Sequence, residues 1–408
     1  MTTADTSSER ELGQDAKIHD LGSGCYAISA EGCPNTGVIV GERGLLVIDA
    51  QPTEELGEIF LKKIREISDK PIKVLLLTHF HGDNTAGAAA FEAGEVIASD
   101  LTKRMMETRG LDDREVLKAR YPDFYPAGHA LPALAMPTMT IASSMSIDLG
   151  GREVRLMHLG RGHTMGDLVV WVSDNSVLYA GGLVQSNTAP YCGDAHLADW
   201  PRALDRIMAF RPSALVPGHG RPAIGSAAVA TAIETTRDYV VTLRDAAAAC
   251  AESKLGLHDT FQSLTDALQP RFGSALLFDA HLPFNVARAY DEAQGLDQPQ
   301  IWTRERCDDL EDALTRTSPV SPKTEPATLV EDEPVVVDEM VADDSDADVE
   351  QATGESADTV SEASGELVTD SDFAASLLAG SDEAAGEDEL LPEEDVVQDE
   401  KVLEKAGA

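Results

Sequence analysis

The sequence predicts an α/β fold built from two strand-rich halves that each carry helices. Short apolar runs bordered by turn residues recur between residues 24 and 77 and again between residues 138 and 217. Amphipathic segments stand between and after these runs, the clearest at residues 53–69. Strands and helices that follow one another in this way are typical of sheets with helices packed on their faces.

The first half is expected to contain four strands, at residues 24–29, 35–40, 44–49 and 72–77. A helix is expected between the last two of these strands, at residues 53–69. Its apolar side chains recur at helical spacing: Leu56, Ile59, Phe60, Ile64 and Ile67.

The second half is expected to contain six strands, at residues 138–142, 145–149, 152–158, 168–172, 176–180 and 213–217. Helices are expected near residues 100–108 and 200–210. Asp199 stands at the N-cap position of the second helix and Pro201 in its first turn, which are favoured positions for these residue types.

Residues 224–314 are mainly helical in pattern, with an alanine-rich stretch at 227–251 and a further helix at 283–294. We therefore predict a folded domain at residues 17–223 and a helical extension at residues 224–316 packed on it. The extension is expected to cover a substrate or to serve as the arm of a homodimer.

The chain changes character after Arg316. Residues 317–408 hold 28 acidic residues and three lysines, a charge of −25, which leaves −15 of the total −40 for the rest. Few aromatic residues and blocks of consecutive acids predict a disordered acidic tail. Such a tail either solubilises the protein or binds a protein partner, and its apolar patch at residues 371–378 is the clearest candidate for a helix formed on that partner.

The remaining composition favours a cytoplasmic protein. Residues 1–16 are polar, which predicts a disordered N-terminus without an export signal. No stretch reaches the roughly 18 apolar residues that a membrane span needs. The five cysteines include no Cys-x-x-Cys pair, which is typical of free thiols in a reducing compartment. The acidic charge of the predicted folded part, without a basic stripe, argues against a nucleic-acid partner.

One short segment carries three groups that bind metals. His79, His81 and Asp83 are spaced two residues apart, directly after the apolar run at residues 74–77. That run is expected to be a buried strand, and α/β folds usually place their chemistry where a strand ends and a helix begins. A lone His-x-His pair is weak evidence, because two exposed histidines in a loop occur by chance.

Three further segments strengthen this evidence. His163 lies in a glycine-rich loop between two expected strands, and His219 lies in a Pro-Gly-His-Gly segment after another. Asp49 ends a buried strand further upstream. Glycine beside each histidine lets backbone and imidazole approach a shared point closely.

The order and spacing of these segments resemble the metallo-β-lactamase-fold hydrolases. In that family the segments run His-x-His-x-Asp-His, Gly-His-Thr, Gly-Asp-Leu and Pro-Gly-His. The resemblance covers roughly residues 17–250, and it implies a four-layer αβ/βα sandwich with metals at the edge between the two sheets. The segment at residues 281–292, HLPFNVARAYDE, is similar to the C-terminal part of an uncharacterised bacterial branch of the family that often has altered ligand motifs.

The chain departs from the family pattern at two ligands of the second metal. Asn84 stands where a histidine is common, and Gly182 stands where the family has an aspartate that bridges two metals. The first site keeps His79, His81 and His163, the ligand count of a catalytic zinc with one open position. The second site keeps only Asp83 and His219. We therefore expect one zinc ion per chain, with at most a weak second site.

The resemblance implies a hydrolase that uses a zinc-bound hydroxide. Asp83 is expected to accept the proton of the attacking water, and His219 to stabilise the developing oxyanion or protonate the leaving group. Asn84 is expected to donate its amide N–H to the substrate. Asp49 is expected to orient the ligand loop, and His196 is kept as a candidate pocket residue. Cys192 and His158 are expected to pack or form hydrogen bonds.

The substrate expected from these features is a small ester, thioester or lactone-like molecule, neutral or cationic because the predicted folded part is acidic. The altered ligands leave a second hypothesis open: a non-catalytic metal-binding or scaffold protein whose acidic tail recruits a partner. Metal content measured together with turnover separates the two hypotheses.

Overall fold

The computed structural model describes residues 12–120, 124–125 and 133–315. The acidic tail at residues 317–408, its apolar patch at 371–378 and residues 1–11 lie outside the described residues. Residues 12–16 fall in the expected disordered N-terminus, but they are ordered: residues 12–15 form turns and Ala16 packs in the core. The prediction of disorder is therefore wrong for residues 12–16.

A first mixed sheet contains seven of the described strands, in the order of the chain. The first four pair antiparallel and the last four pair parallel, with the fourth strand common to both sets. The strands are β1 (Lys17–Asp20), β2 (Cys25–Ser29), β3 (Thr36–Val40), β4 (Leu45–Ile48), β5 (Ile72–Leu76), β6 (Glu95–Ser99) and β7 (Met139–Ile141).

A second mixed sheet contains the other six described strands, in the order β13-β12-β11-β10-β9-β8. β11 and β12 pair parallel, and the remaining pairs are antiparallel. The strands are β8 (Ser144–Asp148), β9 (Glu153–His158), β10 (Leu168–Val172), β11 (Val177–Gly181), β12 (Ala214–Pro217) and β13 (Ala223–Ile224).

Helices flank both sheets. The first half carries α1 (Glu54–Ile67), α2 (Gly82–Thr85) and α3 (Asp100–Arg120), and the second half carries α4 (Trp200–Ala209). The C-terminal extension consists of α5 (Ser226–Glu252), α6 (Leu257–Phe272), α7 (Phe278–Ala293) and α8 (Arg304–Thr315). Within the described residues, no helix is long and apolar enough to cross a membrane.

Three large apolar clusters explain the layering. One lies between the sheets and joins Leu46 and Leu76 of the first sheet to Val170 of the second. Another packs α1 through Phe60 on the outer face of the first sheet. The third packs α4 and the extension on the second sheet, with Trp200 fully buried. The predicted α/β sandwich with a helical C-terminal extension is therefore confirmed.

All ten predicted strands are present within one residue at either end, and the predicted helix at 53–69 is α1. Three described strands were not predicted: β1, β6 and β13. β1 is a partly exposed edge strand, and β6 is a short strand held between β5 and β7. Pairing with neighbouring strands, which a local pattern does not report, forms these elements. The helix expected at 100–108 is also longer, because α3 continues to Arg120.

The capping prediction for α4 is wrong in one respect. Asp199 is the N-cap residue and Pro201 lies in the first turn, but the Asp199 side chain makes no capping hydrogen bond. It accepts a hydrogen bond from Nε of Arg161 at 2.8 Å instead. A charged partner from another loop thus outcompetes the free amides of the helix, since hydrogen bonds to charged groups are the stronger ones.

Candidate metal centre

Three loops bring the predicted histidines together at one edge of the sandwich. His79 and His81 follow β5 directly before α2, and His163 lies in the loop between β9 and β10. The three rings have centroids 4.7 to 4.9 Å apart, and each side chain is buried. One nitrogen from each ring lies within 4.8 Å of the others. This is the arrangement of donors that a single metal ion requires.

The chemistry of this donor set fits a divalent metal. Burial lowers the pKa of His79 and of His163 well below the usual value for histidine, and the neighbouring imidazoles lower both further. These rings are therefore neutral, and a neutral imidazole offers a lone pair to a metal. His81 Nδ1 lies 3.0 Å from His163 Nε2. That pair of nitrogens faces the common point of the cluster.

A hydrogen-bond chain fixes the tautomer of His79. Thr78 donates its hydroxyl to Asp49 Oδ2 at 2.7 Å, and the Thr78 hydroxyl oxygen lies 2.9 Å from His79 Nδ1. The hydroxyl proton of Thr78 is already used, so Nδ1 of His79 carries the proton in this contact. Nε2 of His79 is then left with its lone pair for the metal. Asp49 also accepts the amide of Asn84 at 3.2 Å.

Asp49 thus orients the ligand loop, the role expected for it, and does not line the metal pocket. Burial raises the pKa of this carboxyl group to about 7, whereas the hydrogen bonds from Thr78 and Asn84 lower it. One of the two amide N–H groups of Asn84 donates to Asp49. The expected donation of Asn84 to a substrate stays a prediction, because the amide carries a second N–H group.

Asp194 fixes the tautomer of His81, and sequence reasoning assigned it no role. Its Oδ2 lies 3.1 Å from His81 Nε2, and its Oδ1 accepts a hydrogen bond from Arg109 at 3.3 Å. A carboxylate accepts only, so Nε2 of His81 is protonated and Nδ1 faces the metal position. Asp194 is 2% exposed, and no motif in its neighbourhood indicates this contact.

Asp83 and His219 lie on the other side of the same pocket. Asp83 Oδ2 is 3.8 Å from His219 Nε2, and Asp83 Oδ1 has no hydrogen-bond partner among the described residues. Burial lowers the pKa of His219, and the charge of Asp83 opposes this shift. The structure therefore brings together all five predicted site residues, three as one cluster and two beside it.

Gly182 lies against the ring of His163. A Cβ atom at residue 182 would stand 2.1 Å from Cδ2 of His163, far inside any real contact distance. The glycine is required by this close approach. An aspartate cannot bridge two metals from this position unless His163 moves, so the second metal position lacks a donor there for a steric reason.

The loop at residues 183–199 completes the pocket. It contributes Gln185, Ala189 and Tyr191 to the lining, and the Tyr191 ring lies 5.3 Å from the ring of His81. His281 reaches the pocket from α7. The cavity that remains has a volume of about 10 Å³, which is room for one water molecule or one ion.

Helix α7 binds this loop along one face. The residues that make these contacts all belong to the segment at residues 281–292, which gives that segment a structural role. The contacts run in chain order on both partners. His281 Nδ1 lies 2.9 Å from the carbonyl oxygen of Ala189, and Asn285 accepts the Cys192 N–H at 2.6 Å. One turn further on, Arg288 donates to the Ala195 carbonyl at 2.7 Å. Glu292 then accepts the N–H groups of Leu197 and Ala198, at 3.0 and 2.8 Å. The extension therefore holds the loop that supplies Asp194 and Tyr191.

Two other predicted residues lie away from the pocket lining. His196, expected as a pocket residue, is buried beside Arg161 and Arg288, and burial lowers its pKa to about 4. It does not line the metal pocket, and its carbonyl oxygen accepts the backbone N–H groups of Asp199 and Trp200 at the start of α4. His158 forms a hydrogen-bond contact with the Asp167 carbonyl at 2.9 Å, and Cys192 is a buried thiol, as expected for both.

Comparisons with known proteins agree with this geometry. Residues 32–219, a little under half of the chain, match the sequence model of the metallo-beta-lactamase superfamily. A linear primary-alkylsulfatase of Pseudomonas sp. is 26% identical over 243 residues, which are 51% of this chain and 45% of that protein. A metallo-beta-lactamase type 2 of Bacteroides fragilis is 24% identical over 195 residues, or 46% of this chain and 69% of that protein.

Among solved structures, the stereoselective inverting sec-alkylsulfatase Pisa1 from Pseudomonas sp. has the same fold, with a TM-score of 0.56 and 17% identity. The match covers 68% of this chain and 50% of that chain. The chain thus spans about half the length of the alkylsulfatases it matches. The region that matches the superfamily model, residues 32–219, contains strands β3 to β12 and every histidine of the pocket except His281, so this part of the chain is similar in sequence to the metallo-beta-lactamase superfamily.

Proposed function

We propose that the protein is a zinc-dependent hydrolase of a small ester, thioester or lactone-like substrate. The observation that carries this proposal is the buried histidine cluster, whose ligand nitrogens lie within 4.8 Å of one another. The hydrogen bonds that His79 Nδ1 donates to Thr78 and His81 Nε2 donates to Asp194 leave the lone pairs of His79 Nε2 and His81 Nδ1 to bind a metal. The relatives with known activity are named as sulfatases and β-lactamases, which are hydrolases.

One zinc ion per chain fits these residues best. His79, His81 and His163 supply three neutral donors, whereas Asp83 and His219 lack the bridging carboxylate that Gly182 excludes. A zinc ion held by three imidazoles supplies Lewis acidity, which lowers the pKa of water to about 7. A second, weak position between Asp83 and His219 remains part of this proposal.

Asp83 acts as the proton acceptor in this mechanism. Its carboxylate is 6% exposed, lines the pocket and has one oxygen without a hydrogen-bond partner among the described residues. A water molecule in the small cavity would donate a hydrogen bond to that oxygen, which orients the water and takes up its proton on attack. No other carboxylate lines the metal pocket within the described part of the chain.

His219 acts on the substrate side. Gln185 accepts the backbone N–H of His219 at 3.0 Å, and Asn35 donates to the flanking carbonyls of Pro217 and Gly220 at 2.9 and 2.7 Å. These bonds hold the His219 ring at the pocket wall. From there its imidazole stabilises the developing oxyanion by hydrogen bonding or delivers a proton to the leaving group.

The test combines metal analysis with turnover on the full chain. We expect one zinc per chain after dialysis and hydrolysis of at least one member of an ester, thioester, lactone and alkyl sulfate panel. Alkyl sulfates belong in the panel because one relative is a linear primary-alkylsulfatase. Stoichiometric zinc without any turnover would instead support the alternative, a metal-binding scaffold with a partner-binding tail.

Two variants separate metal ligands from groups that act on the substrate. His163→Ala should abolish both zinc binding and turnover, because it removes one of three donors. His219→Ala should keep the zinc and lower kcat by about 10²-fold to 10⁴-fold, the usual contribution of a general acid or base. Equal loss of zinc in both variants would show that the site assignment is wrong, and two zinc ions in the unaltered chain would refute the single-metal proposal.

A further inference from the structure

A second and much larger cavity adjoins the metal pocket. Its volume is about 550 Å³, within the range of pockets that hold small organic molecules, whereas the metal pocket holds about 10 Å³. Gln185 and Ala189 line both cavities. Gly220 and Arg221 line the larger cavity directly after His219, which lines the smaller one. The two cavities are therefore neighbours that share part of their walls.

The helical extension forms one wall of this cavity. Thr236 and Tyr239 line it from α5, and the α6–α7 connection lines it at residues 274–276. Two contacts fix this wall to the loop beside the metal pocket: the Gln185 N–H donates to the Thr236 hydroxyl at 3.1 Å, and Thr188 forms a β-bridge with Leu276. The extension thus forms part of the cavity wall, and its expected roles as a substrate cover or a dimer arm stay predictions.

The cavity carries cations without ion-pair partners. Lys17 and Arg221 both line it, are exposed, and form no ion pair with a described carboxylate. Arg271 also lines it, but its guanidinium is bound to Asp238 at 2.6 Å. Two acidic residues, Asp15 and Glu31, also line the cavity. Lys17 and Arg221 are therefore the cations of this lining that are available to a ligand.

His19 lies beside this cavity and is affected by both cations. Its Nε2 lies 2.8 Å from the hydroxyl of Ser29, a lining residue. Burial lowers the pKa of His19, and the charges of Arg221 and Lys17 lower it further. Both cations therefore lie close enough to act on the His19 ring, which contacts the wall that carries Ser29. An oxyanion would be attracted to this wall.

We propose that the larger cavity is the substrate cleft, and that Arg221, assisted by Lys17, binds an anionic group of the substrate. The scissile bond would enter the metal pocket between Gln185 and Ala189. Arg221 follows His219 by two residues, and two residues of chain span at most about 7 Å. One small substrate can therefore contact Arg221 and His219 at the same time. This inference rests on the proposed hydrolase and names its substrate class, an ester that carries a carboxylate, sulfate or phosphate group. It replaces the neutral or cationic substrate expected from the net charge, because Arg221 and Lys17 lie in the lining of the cavity itself.

Binding of a matched acid and amide tests the anion site. Calorimetry on the zinc-loaded full chain should show hexanoate binding at least about tenfold more tightly than hexanamide, the value of one charge-assisted contact. Arg221→Gln should bring this ratio close to one. Arg202→Gln, a change at an exposed arginine of α4 outside the cavity, should preserve it. Equal binding of acid and amide, or a preference that survives Arg221→Gln, would overturn the proposal.

A third variant tests the location. Ser274 is an exposed lining residue, so Ser274→Trp can fill the cavity without disturbing the core. With an unchanged thermal midpoint, this variant should lose at least about tenfold in affinity for hexanoate and hexanamide alike. Unaltered affinity for both molecules would place their binding site elsewhere and refute the cleft.

Turnover distinguishes this inference from the function on which it rests. The substrates are the p-nitrophenyl monoester of glutarate and the neutral p-nitrophenyl valerate. The cleft predicts a higher kcat/KM for the anionic ester, lost in Arg221→Gln mainly through KM. Hydrolysis of both esters with equal kcat/KM, unchanged in Arg221→Gln, would refute the cleft and leave the hydrolase standing. Binding of hexanoate that depends on Arg221, without hydrolysis of any ester, would support the cleft and refute the hydrolase.

Discussion

At the scale of single residues, the metal centre depends on side chains that do not bind the metal. Thr78 and Asp194 decide which nitrogen of His79 and His81 is protonated. Gly182 leaves space for the ring of His163. Partners of this kind commonly change metal affinity by about 10-fold to 100-fold when they are replaced. The geometry of the metal site therefore also depends on residues that are not metal ligands.

Gly182→Ala tests the close approach at His163. The added methyl group would stand 2.1 Å from the ring, so the ring or the loop must shift and one metal donor is displaced. We expect zinc affinity to fall by about 10-fold to 100-fold in competition with a chromophoric chelator.

The matched control is Gly256→Ala, because a Cβ atom at residue 256 would meet no atom within 4 Å. This control should bind zinc as tightly as the unaltered chain. If Gly182→Ala also retained full affinity, the ring of His163 would have to lie elsewhere in the metal-loaded protein.

The five candidate site residues could be predicted because each stands in a glycine-bordered segment after a strand. Asp194 and Gln185 could not, since their contacts depend on the path of a loop that no local pattern determines. The contact between Gln185 and His219 joins residues 34 positions apart in the chain. Asn84 shows the opposite case, in which a recognised position has a hydrogen-bond partner, Asp49, that the motif does not reveal.

At the scale of elements, α7 acts as a template for the loop at residues 183–199. His281, Asn285, Arg288 and Glu292 lie on one face of the helix, since residues three and four apart in a helix are neighbours. Each of them contacts main-chain groups of the loop. The loop therefore obtains from a remote helix the hydrogen bonds that a strand would obtain from a neighbouring strand.

Asn285→Ala tests this template. Asn285 is fully buried, and its loss leaves the Cys192 N–H and the Pro190 carbonyl without their partner. We expect the free energy of unfolding to fall by about 1–3 kcal/mol per unsatisfied group. Hydrogen exchange should also accelerate at residues 189–195, the part of the loop that carries Tyr191 and Asp194.

Gln262→Ala on the exposed face of α6 is the control, and its loop should exchange at the unaltered rate. Unchanged protection of residues 189–195 in Asn285→Ala would mean that the loop keeps its shape without α7.

The predicted strands that proved correct have strong apolar patterns of their own. The path of this loop had no such pattern, because its order comes from contacts with residues about 90 positions further along the chain.

At the scale of the whole molecule, the apolar clusters of the described residues extend along the chain as far as α8. The last core residue among them is Leu310, which packs with Val116, Ala287 and Trp302. The acidic composition of residues 317–408 offers little apolar surface to offset the entropy of ordering a chain. A protein partner for the tail and a homodimer through the extension stay predictions.

Truncation after Arg316 tests whether the tail is dispensable. The thermal midpoint of the folded part should change little, and unfolding should remain cooperative. Truncation after Thr303 is the comparison, because it also removes α8 and with it Leu310 from the cluster around Trp302. That shorter chain should melt at a clearly lower temperature. Loss of cooperative unfolding on removal of the tail alone would refute the prediction.

The contacts between α7 and the metal loop also set an order of events during translation. His163 leaves the ribosome well before Glu292, and at 5–20 residues per second the interval between them is on the order of 10 s. Until α7 emerges, Asp194 lacks the loop anchors that hold it against His81. The nascent chain therefore displays its three histidines before Asp194 can orient His81. Completion of the metal site is consequently a late step, timed by the synthesis of the extension.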